Sequence, residues 1–590
     1  MIRPIFLSKQ IVAFTAILAL AATESRAAGA NVYLQHNLVS DVPGLADVTD
    51  PNLINPWGIS VSATSPFWIS DRGKGVSTLY NGSGTITPLV AIVPAASGAT
   101  QGGSPTGQVN NSNTTAFLLP NGRAASFIFC TEDGTISGWA GGITGNISVI
   151  MANNSSNAVY KGLAIGANSS GPLLYAANFK TGTIDVFDGK YNAYKTTGGF
   201  LDTTIPAGFA PFNIWALGGK LYVAYAKQDA QFRNDVAGAG NGFVNVFDFD
   251  GNLQKRLISN GALNSPWGLA LAPATFGAFG GALLVGNFGD GKINAFDSTS
   301  GASLGTLQDA NGKPIVIGGL WALLFGNGAN GGDRNTLYFT AGINGEIDGL
   351  LGSIAPPSAI LNVQNAASWA SGSVVPGEVV SLTGLTIGPS PGASATIPVS
   401  GSVSTALGGV TVTFNGVSAP ILYASASQIN ALVPYAIISY ASANITVKYR
   451  GQTATTSVPV ANAAPGLFTT DFSGNGQVVA LNVDDTLNSS KNPAAAGSII
   501  TLFGTGEGAT NPPGEDGFVN DRILRQPILP VTVTIGGQRA QLLYAGTAVG
   551  QEQGILQVEA VIPGGLTGNV PVVVTVGPAS SQATATISVN

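Results

Sequence analysis

A short motif recurs six times between residues 75 and 350 and constrains the fold more than any other feature of the sequence. It is a glycine followed five positions later by an aromatic residue or leucine, and residues 241–251 hold its clearest copy. Apolar residues alternate between the glycine and the aromatic residue, which is the period of a β-strand. The six copies are Gly75/Tyr80, Gly134/Trp139, Gly182/Phe187, Gly242/Phe247, Gly291/Phe296 and Gly345/Leu350.

Two further apolar runs precede most copies of the motif, for example residues 67–70 and 57–60 before Gly75. Three strands and a connecting one in about 50 residues are typical of a propeller blade. We therefore predict an all-β chain with a six-bladed β-propeller over residues 31–354. A stacked solenoid is the alternative, but solenoid repeats are usually shorter and more regular.

The segment of residues 31–35 is strand-like and precedes the first blade. Six blades close into a ring only if one end of the chain supplies a strand to the blade at the other end. We predict that this segment pairs with the blade that contains Ile347, because the pairing removes exposed strand edges.

Residues 1–30 have the pattern of a secretory signal peptide. Arg3 and Lys9 precede an apolar run at 11–22, and small residues follow at Ala28 and Ala30. The run is too short for a stable membrane anchor, although an anchor that stays attached is the alternative. We expect a secreted protein that is extracellular, periplasmic or on the outer cell surface, with no membrane span in the mature chain.

Charged residues make up only 9% of the chain, against about 25% in average proteins, and the net charge is −6. Nucleic acid is therefore not an expected partner, because binding to it requires clustered Lys and Arg. Cys130 is the only cysteine, which excludes an intramolecular disulfide. It lies in an apolar run, so we expect a buried, unreactive thiol.

The pattern of residues changes at residues 355–358, and an internal duplication follows. Two copies of about 110 residues, each with several short alternating strands, predict two immunoglobulin-like β-sandwiches at residues 355–462 and 463–590. The matching segments are 376–382 with 496–502, 410–416 with 531–537, 419–424 with 540–545, and 428–434 with 557–563.

These motifs carry a resemblance to known families. Residues 360–590, with Asn-Ala-Ala-Ser at 365–368, Pro-Gly-Glu at 376–378 and Ile-Asn-Ala-Leu-Val-Pro at 429–434, resemble the paired C-terminal domain of large secreted acidobacterial proteins. The N-terminal half, with its segments 37–41 and 50–58, resembles an uncharacterised family of exported bacterial propellers. It is more distantly similar to NHL-type and gluconolactonase-like propellers. The resemblance implies fold and export, and neither close family implies an activity.

Tryptophans and asparagines at one repeat position are the main candidates for ligand binding. In a propeller the first strand of each blade lines the central channel, so these residues are predicted to gather at one rim. There they could stack on a glycan or another small molecule and hydrogen-bond to it. The alternative is packing between blades. The candidates are Trp57, Trp215, Trp267, Trp321, Asn55, Asn213 and Asn264.

A second polar set, Asp71, Asn178 and Asn287, lies four residues before the blade glycines. Gluconolactonase-like propellers bind a divalent cation at the channel, so the resemblance implies a possible site for Ca²⁺ or another divalent ion. The sequence departs from that pattern, because the positions matching the ligands offer Asn without a clear acidic residue. We expect no other cofactor.

Catalysis is not favoured by the remaining residues. His36 is the only histidine, so a Ser-His-Asp triad or a histidine metal site would have to use it. Three functions stay open: a binding or scaffold module with immunoglobulin-like spacer or attachment domains, a metal-dependent lactonase-like hydrolase, and a structural cell-surface protein. The binding module leads, with a glycan, a small molecule or a surface protein as its partner. The sequence does not indicate an oligomeric state.

Overall fold

Short strands account for nearly all of the regular structure, as the alternating apolar pattern predicts. The structure is a computed structural model, and it describes residues 31–99, 102–142, 146–389, 391–519 and 523–590. The predicted signal peptide, residues 1–30, lies outside the described residues. The chain divides into two units, one ending at Pro356 and the other beginning at Pro357. In the described residues, no helix is long and apolar enough to cross a membrane.

The first unit contains six sheets, which we number 1 to 6 in chain order; their strands pair antiparallel, except that Leu34–Ser40 and Val48–Thr49 of sheet 6 pair in parallel. Sheets 1 to 5 are each built from consecutive strands. Sheet 1 has Pro56–Ser60, Phe67–Asp71, Val76–Tyr80 and Ile86–Ile92; sheet 2 has Pro105–Asn110, Phe127–Thr131, Thr135–Trp139 and Val149–Asn153; sheet 3 has Tyr160–Asn168, Gly171–Asn178 and Thr183–Asp188.

Sheets 4 and 5 repeat this plan, and sheet 6 departs from it by taking its outer strands from the start of the chain. Sheet 4 has Phe209–Leu217, Lys220–Lys227, Phe243–Phe247 and Leu253–Ser259; sheet 5 has Pro266–Leu271, Leu283–Asn287, Ile293–Phe296 and Ser303–Thr306; sheet 6 has Leu320–Phe325, Leu337–Ala341, Leu350–Ala355, Leu34–Ser40 and Val48–Thr49. The unit also holds a 3₁₀ turn at Gly277–Phe279 and a one-turn α-helix at Ile343–Glu346.

The first strands of the six sheets form a closed ring of contacts. Each packs against the first strand of the next sheet, and Leu320–Phe325 of sheet 6 packs against Pro56–Ser60 of sheet 1. The second strand in sheets 1 and 2 is buried at every position, because neighbouring sheets cover both of its faces. The arrangement is propeller-like.

The predicted pairing of the start of the chain with sheet 6 is confirmed in part, since the strand lies at Leu34–Ser40 and not at residues 31–35. Leu34–Ser40 pairs antiparallel with Leu350–Ala355, from Leu34 opposite Ala355 to Ser40 opposite Leu350. Tyr33, just before this strand, is 1% exposed, and its hydroxyl donates a 3.0 Å hydrogen bond to the carbonyl of Phe276 in sheet 5's connection. The start of the chain is therefore anchored in two sheets.

The second unit contains two pairs of sheets, one from each half of the duplication. In the first half, one sheet has Ala359–Asn365, Val379–Leu385, Gln428–Leu432, Ile421–Ala424 and Ala393–Ser394, and the other has Ala406–Leu407, Val410–Phe414, Ser442–Tyr449, Gln452–Pro459 and Val417–Ser418. Their facing side chains form one apolar core that includes Leu382, Ile429, Val412 and Ile445. A 3₁₀ helix at Tyr435–Ser439 follows Gln428–Leu432.

The second half repeats these pairings. One sheet has Gly466–Leu467, Ile499–Thr505, Leu556–Val561, Gln541–Thr547 and Ala480–Leu481, and the other has Gly476–Gln477, Ala585–Val589, Gly568–Val576, Val531–Ile535, Gln538–Arg539 and Ala579–Ser580. Two short pairs complete the unit, Gly401–Ser402 with Phe518–Val519 and Thr510–Asn511 with Gln526–Pro527. The duplication seen in the sequence is therefore a duplication of strand pairing.

Candidate functional site

In every sheet of the first unit, the first strand contains a register shift near its start. At this point its regular pairing with the second strand is interrupted. A β-bulge of this kind re-aims a side chain out of the plane of the pleat. Trp57, Thr106, Lys161, Phe212, Trp267 and Trp321 stand at the six shifts. All six residues are nearly or fully buried.

Five of these six side chains meet in a group that we call the central cluster: Trp57, Lys161, Phe212, Trp267 and Trp321. The rings of Trp57 and Trp321 stack with centroids 3.5 Å apart, and Trp267 lies edge-on to both. Phe212 lies 5.9 Å from Trp321, and the Lys161 ammonium sits 4.9 Å from the centre of the Trp57 ring. Aromatic rings and one cation therefore fill the space between the first strands.

Glycine after the bulge lets neighbouring first strands approach closely. A Cβ added at Gly58 would lie 2.4 Å from the carbonyl oxygen of Thr106 in sheet 2. One added at Gly107 would lie 2.3 Å from the backbone nitrogen of Leu163 in sheet 3. A side chain at either position would force the strands apart and open the central cluster.

Asn55 joins sheets 1 and 6 at one end of the central cluster. Its carbonyl oxygen Oδ1 accepts hydrogen bonds from the indole nitrogens of Trp57, at 3.0 Å, and Trp321, at 3.2 Å. Its Nδ2 donates to Glu346 at 2.8 Å. Both ends of the amide are hydrogen-bonded inside the protein, which favours the packing interpretation of Asn55.

The predicted recognition residues are only partly brought together. Trp57, Trp267 and Trp321 gather but are at most 2% exposed, as the packing alternative predicts. Trp215 lies apart from them, and its placement at the start of a strand was wrong. It lies near the end of Phe209–Leu217, because the bulge of sheet 4 occurs at Phe212, and its ring packs in the core shared by sheets 4 and 5.

The other two predicted asparagines are also hydrogen-bonded inside the protein. Asn213 donates from Nδ2 to the carbonyl of Trp267 at 2.7 Å, which links sheets 4 and 5. Asn264 accepts at Oδ1 from the backbone of Gly238 at 2.7 Å. These contacts order the loops around the cluster.

A charged group lies against the central cluster and was not anticipated from the sequence. Glu132, at the end of the second strand of sheet 2, is 2% exposed and accepts hydrogen bonds from Lys161 and Arg72. Arg72 reaches it from sheet 1, with Nη2 at 2.8 Å from Oε2. Burial alone would raise the pKa of the Glu132 carboxyl, but Lys161 and Arg72 outweigh it and lower the pKa to about 2.

Arg233 completes this group from the loop between the second and third strands of sheet 4. Its Nη2 lies 3.9 Å from Glu132 Oε2, which is an ion pair beyond hydrogen-bond range. The side chain is 44% exposed, and among the described residues its guanidinium has no hydrogen-bond partner. We call Arg72, Glu132, Lys161 and Arg233 the charged mouth, since they stand where the central cluster meets solvent.

Two further acids border the charged mouth. Asp133 accepts a hydrogen bond from the backbone of Ser104 at 3.0 Å, and burial raises its pKa. Burial also raises the pKa of Asp235, which follows Arg233 by two residues, although Lys161 opposes the shift. Neither acid makes a salt bridge to Arg233 within 4.0 Å in the described chain.

The predicted metal ligands Asp71, Asn178 and Asn287 lie at the ends of the second strands of sheets 1, 3 and 5. Each is held within its own sheet: Asp71 accepts from the Thr78 hydroxyl at 2.7 Å, Asn178 donates to Asp185, and Asn287 donates to Asp290. Burial raises the pKa of Asp71 well above its ordinary value. In the described residues, no group of three or more His, Cys, Asp and Glu side chains could hold a metal ion.

The remaining sequence candidates have structural positions. Cys130 is fully buried, and burial raises the pKa of its thiol to about 12. His36 forms an exposed 2.9 Å pair with Asp47 in the outer strands of sheet 6. One feature of the sequence could have indicated the charged mouth. Tyr160-Lys161-Gly162 occupies the repeat position at which sheets 1 and 5 have Pro-Trp-Gly, so that a lysine stands in place of the tryptophan.

No family model matches this sequence. Two curated relatives are uncharacterised proteins of Acanthamoeba polyphaga mimivirus. Protein R648 is 34% identical over 333 residues, covering 55% of this chain and 80% of the relative. Protein L690 is 33% identical over 335 residues, covering 55% of this chain and 86% of the relative. The chain belongs to the family of these mimivirus proteins. Its family members are uncharacterised, so membership assigns no activity, and the bacterial origin implied by the sequence resemblance stays a prediction.

Solved structures with some likeness to the chain are distant. A streptogramin B lyase is 12% identical with a TM-score of 0.30, covering 55% of this chain and 97% of that one. A protein of unknown function from Bacteroides thetaiotaomicron is 10% identical with a TM-score of 0.36, covering 55% and 76%. Neither assigns a ligand or a reaction to the charged mouth.

Proposed function

We propose that the protein is an exported binding module. In this proposal residues 31–354 are a six-bladed β-propeller that carries the ligand site, and residues 355–462 and 463–590 are immunoglobulin-like spacer or attachment domains. The six sheets with successive first strands support the first part. The two pairs of sheets, each around its own apolar core, support the second.

The ligand site that we propose is the charged mouth, and its ligand carries an anionic group. Lys161 and Arg72 already outweigh the charge of Glu132, so Arg233 adds a further positive charge, although Asp133 also interacts with it electrostatically. A half-exposed guanidinium with free N–H groups is well suited to a carboxylate or phosphate. The spare guanidinium of Arg233 is the observation on which this proposal rests.

The tryptophans play a supporting part in this proposal. They are buried, so they do not form the stacking surface expected from the sequence. Instead Trp57 lies under the Lys161 ammonium and helps to hold it against Glu132. The rigid central cluster thereby positions the charges that the ligand meets. We propose acidic glycans and small organic anions as the ligand class.

The test is a binding screen on the full mature chain with uronic-acid glycans, dicarboxylates and phosphate, followed by calorimetric titration of any binder. Arg233→Gln should weaken binding at least about tenfold, because one charge-assisted contact to an anion is worth roughly 1.5–3 kcal/mol. Arg123→Gln is the matched control, since Arg123 is exposed in a turn of sheet 2. Absence of any binder in the panel, or equal affinity of both variants and the parent, would refute the proposed site.

Export is tested separately by expressing the complete gene product in a secreting host. We expect the protein outside the cytoplasm with its N-terminus near residue 31. Retention inside the cell with residues 1–30 intact would contradict export and would leave the binding proposal unaffected.

A further inference from the structure

The two halves of the second unit are joined by a loop that follows the strand Ile499–Thr505. We call residues 506–517 the coupling loop. Asp516 of this loop accepts a 2.7 Å hydrogen bond at Oδ1 from the backbone of Tyr435 in the first half. The carbonyl of Gly517 accepts another, at 2.9 Å, from the backbone of Val403. The coupling loop of the second half is therefore hydrogen-bonded directly to the first half.

The ring of Tyr435 is clasped between the two halves. A Cβ added at Gly377, in the first half, would lie 2.5 Å from the ring, and one added at Gly514, in the coupling loop, would lie 2.2 Å from it. Only glycine permits such close approach on both sides of the ring. The clasp holds only while the coupling loop stays in place.

Glu507 lies in the coupling loop and is buried without a partner. The residue is 1% exposed, and neither carboxylate oxygen has a hydrogen-bond partner among the described residues. An ionised carboxylate is costly to bury without a donor or a cation. Both carboxylate oxygens of Glu507 are thus orphaned in the described chain.

A second buried carboxylate shares this neighbourhood. Glu378 accepts hydrogen bonds from Asn365 Nδ2 and from the backbone of Val375, each at 2.8 Å. The glycines on either side of Glu507 lie close to the same two residues, since a Cβ at Gly506 would lie 3.3 Å from Asn365 Nδ2 and one at Gly508 would lie 3.5 Å from Val375 Cγ1, and Glu378 interacts electrostatically with Glu507. The two carboxyl groups therefore lie in one buried region.

Among the described residues, the titratable groups around Glu507 are mostly acidic, and none forms a salt bridge to it. Glu378, Tyr435 and Tyr544 interact with it electrostatically; Asp516 and Arg525 face Tyr435; and Glu552 is buried in the turn before Leu556–Val561. Arg525 is the one cation in this set, and it is hydrogen-bonded to Glu515 at 2.8 Å. Burial raises the pKa of Glu507 to about 7, and burial with repulsion from Glu507 raises the pKa of Glu378 to about 8.

We propose that Glu507 is a proton-controlled latch between the two halves of the second unit. The protonated side chain is neutral and lets the coupling loop rest against Glu378 and Tyr435. Loss of the proton places a bare negative charge beside Glu378 in a dry interface, and the loop releases to let water reach it. The latch is closed at mildly acidic pH and opens as the pH rises past neutrality.

The test is hydrogen exchange of the full chain at pH 6.0 and pH 8.5, read on peptides that cover residues 506–517 and corrected for the intrinsic effect of pH. The protection of these peptides should fall about tenfold or more between the two conditions, because one coupled proton changes the opening equilibrium by up to about tenfold per pH unit. Glu507→Gln should keep its protection at both values, because its side chain has nearly the same shape and never ionises. Asp485→Asn, at an exposed turn, should behave like the parent.

Each other outcome overturns the latch. Equal corrected protection of the parent at both pH values would show that Glu507 does not control the loop, and this result needs no variant to fold. Loss of protection in Glu507→Gln at pH 8.5 would assign the effect to another group. If 1 mM CaCl₂ restores protection of the parent at pH 8.5, then the orphaned carboxylate is a cation ligand and not a latch.

Discussion

Glu132 of the first unit and Glu507 of the second are equally buried, at 2% and 1% exposure, yet their surroundings are opposite. Glu132 accepts hydrogen bonds from Lys161 and Arg72, whereas Glu507 accepts none from the described residues. The pKa is lowered to about 2 in the first case and raised to about 7 in the second. Burial alone always disfavours the ionised form of a carboxyl group. The hydrogen-bond donors and cations around it therefore decide whether a buried carboxyl stays ionised or takes up a proton near neutral pH.

This difference assigns different work to the two regions. In our proposals, the ionised Glu132 orders Lys161, Arg72 and Arg233 for a ligand, and the unpartnered Glu507 makes the junction between the two halves of the second unit sensitive to pH. The experiments below test this comparison, beginning with the largest expected effect.

Trp321→Ala tests whether the packing of the central cluster supports the ionised Glu132. Trp321 is 1% exposed, stacks on Trp57 and donates to Asn55, so its loss should destabilise the first unit by about 3–5 kcal/mol. The measurement is exchange of the slowest-exchanging amides in this unit of the full chain. Trp215→Ala is the control, since Trp215 is only partly buried and lies outside the central cluster, and it should cost clearly less. Equal losses would mean that the cluster has no special role.

Glu132→Gln removes the fixed anion and keeps the shape of the side chain. Lys161 and Arg72 would then lose the carboxylate that both of them contact, which should cost about 3 kcal/mol by the same measurement. Asp133→Asn, one residue later and only half-buried, is the matched control and should cost under about 1 kcal/mol. A loss below 1 kcal/mol for Glu132→Gln would show that Lys161 finds another partner.

Much of the first unit could be predicted from the sequence because strand periodicity is a local property. The apolar run at residues 67–70 before Gly75 is the second strand of sheet 1, at Phe67–Asp71. The register of the first strands was harder, and Trp215 was misplaced because a bulge moves the inward position to Phe212. A proline precedes the bulge at Trp57, Thr106, Phe212 and Trp267, and this repeated signal could have found the position.

The two charged sites could not be predicted in the same way. Glu132 and Lys161 are 29 residues apart in the chain, and Arg233 comes from a different sheet. Glu378 and Glu507 come from different halves of the duplication, and neither is repeated in the other half, where Ser498 stands at the position of Glu378. Only the three-dimensional fold determines which buried carboxyl group forms ion pairs and which has no partner.

The contributions of Glu132 and of the pair Glu507 and Glu378 to stability should depend on pH with opposite signs. Glu132 has a lowered folded-state pKa, so its contribution is complete above its ordinary value of 4.5 and is lost as the pH falls toward 2. Glu507 and Glu378 have raised folded-state pKa values, so their contribution is complete below 4.5 and is lost as the pH rises toward 7 and 8. Unit-resolved exchange of the full chain from pH 5 to pH 9 measures the second slope. A second unit that gains stability over this range would contradict the comparison.

Arg233→Gln should have the smallest effect on stability. The guanidinium is 44% exposed and forms only a 3.9 Å ion pair, so the change should stay within about 0.5 kcal/mol. Arg256→Gln is a useful contrast, because Arg256 is hydrogen-bonded to the buried carboxylate of Asp202 and should cost more. If Arg233→Gln were the more costly of the two, the guanidinium would be structural and would not be available to a ligand.

The most direct test compares Glu132→Gln and Glu507→Gln in the full chain at pH 8, with the stability of each unit read from its slowest-exchanging amides. The two substitutions are chemically identical, and both sites are buried, so only the partners differ. We predict that Glu132→Gln destabilises the first unit by about 3 kcal/mol, whereas Glu507→Gln leaves the second unit unchanged or makes it more stable. A loss of similar size at both sites would contradict the claim that partners decide the role of a buried carboxyl in this protein.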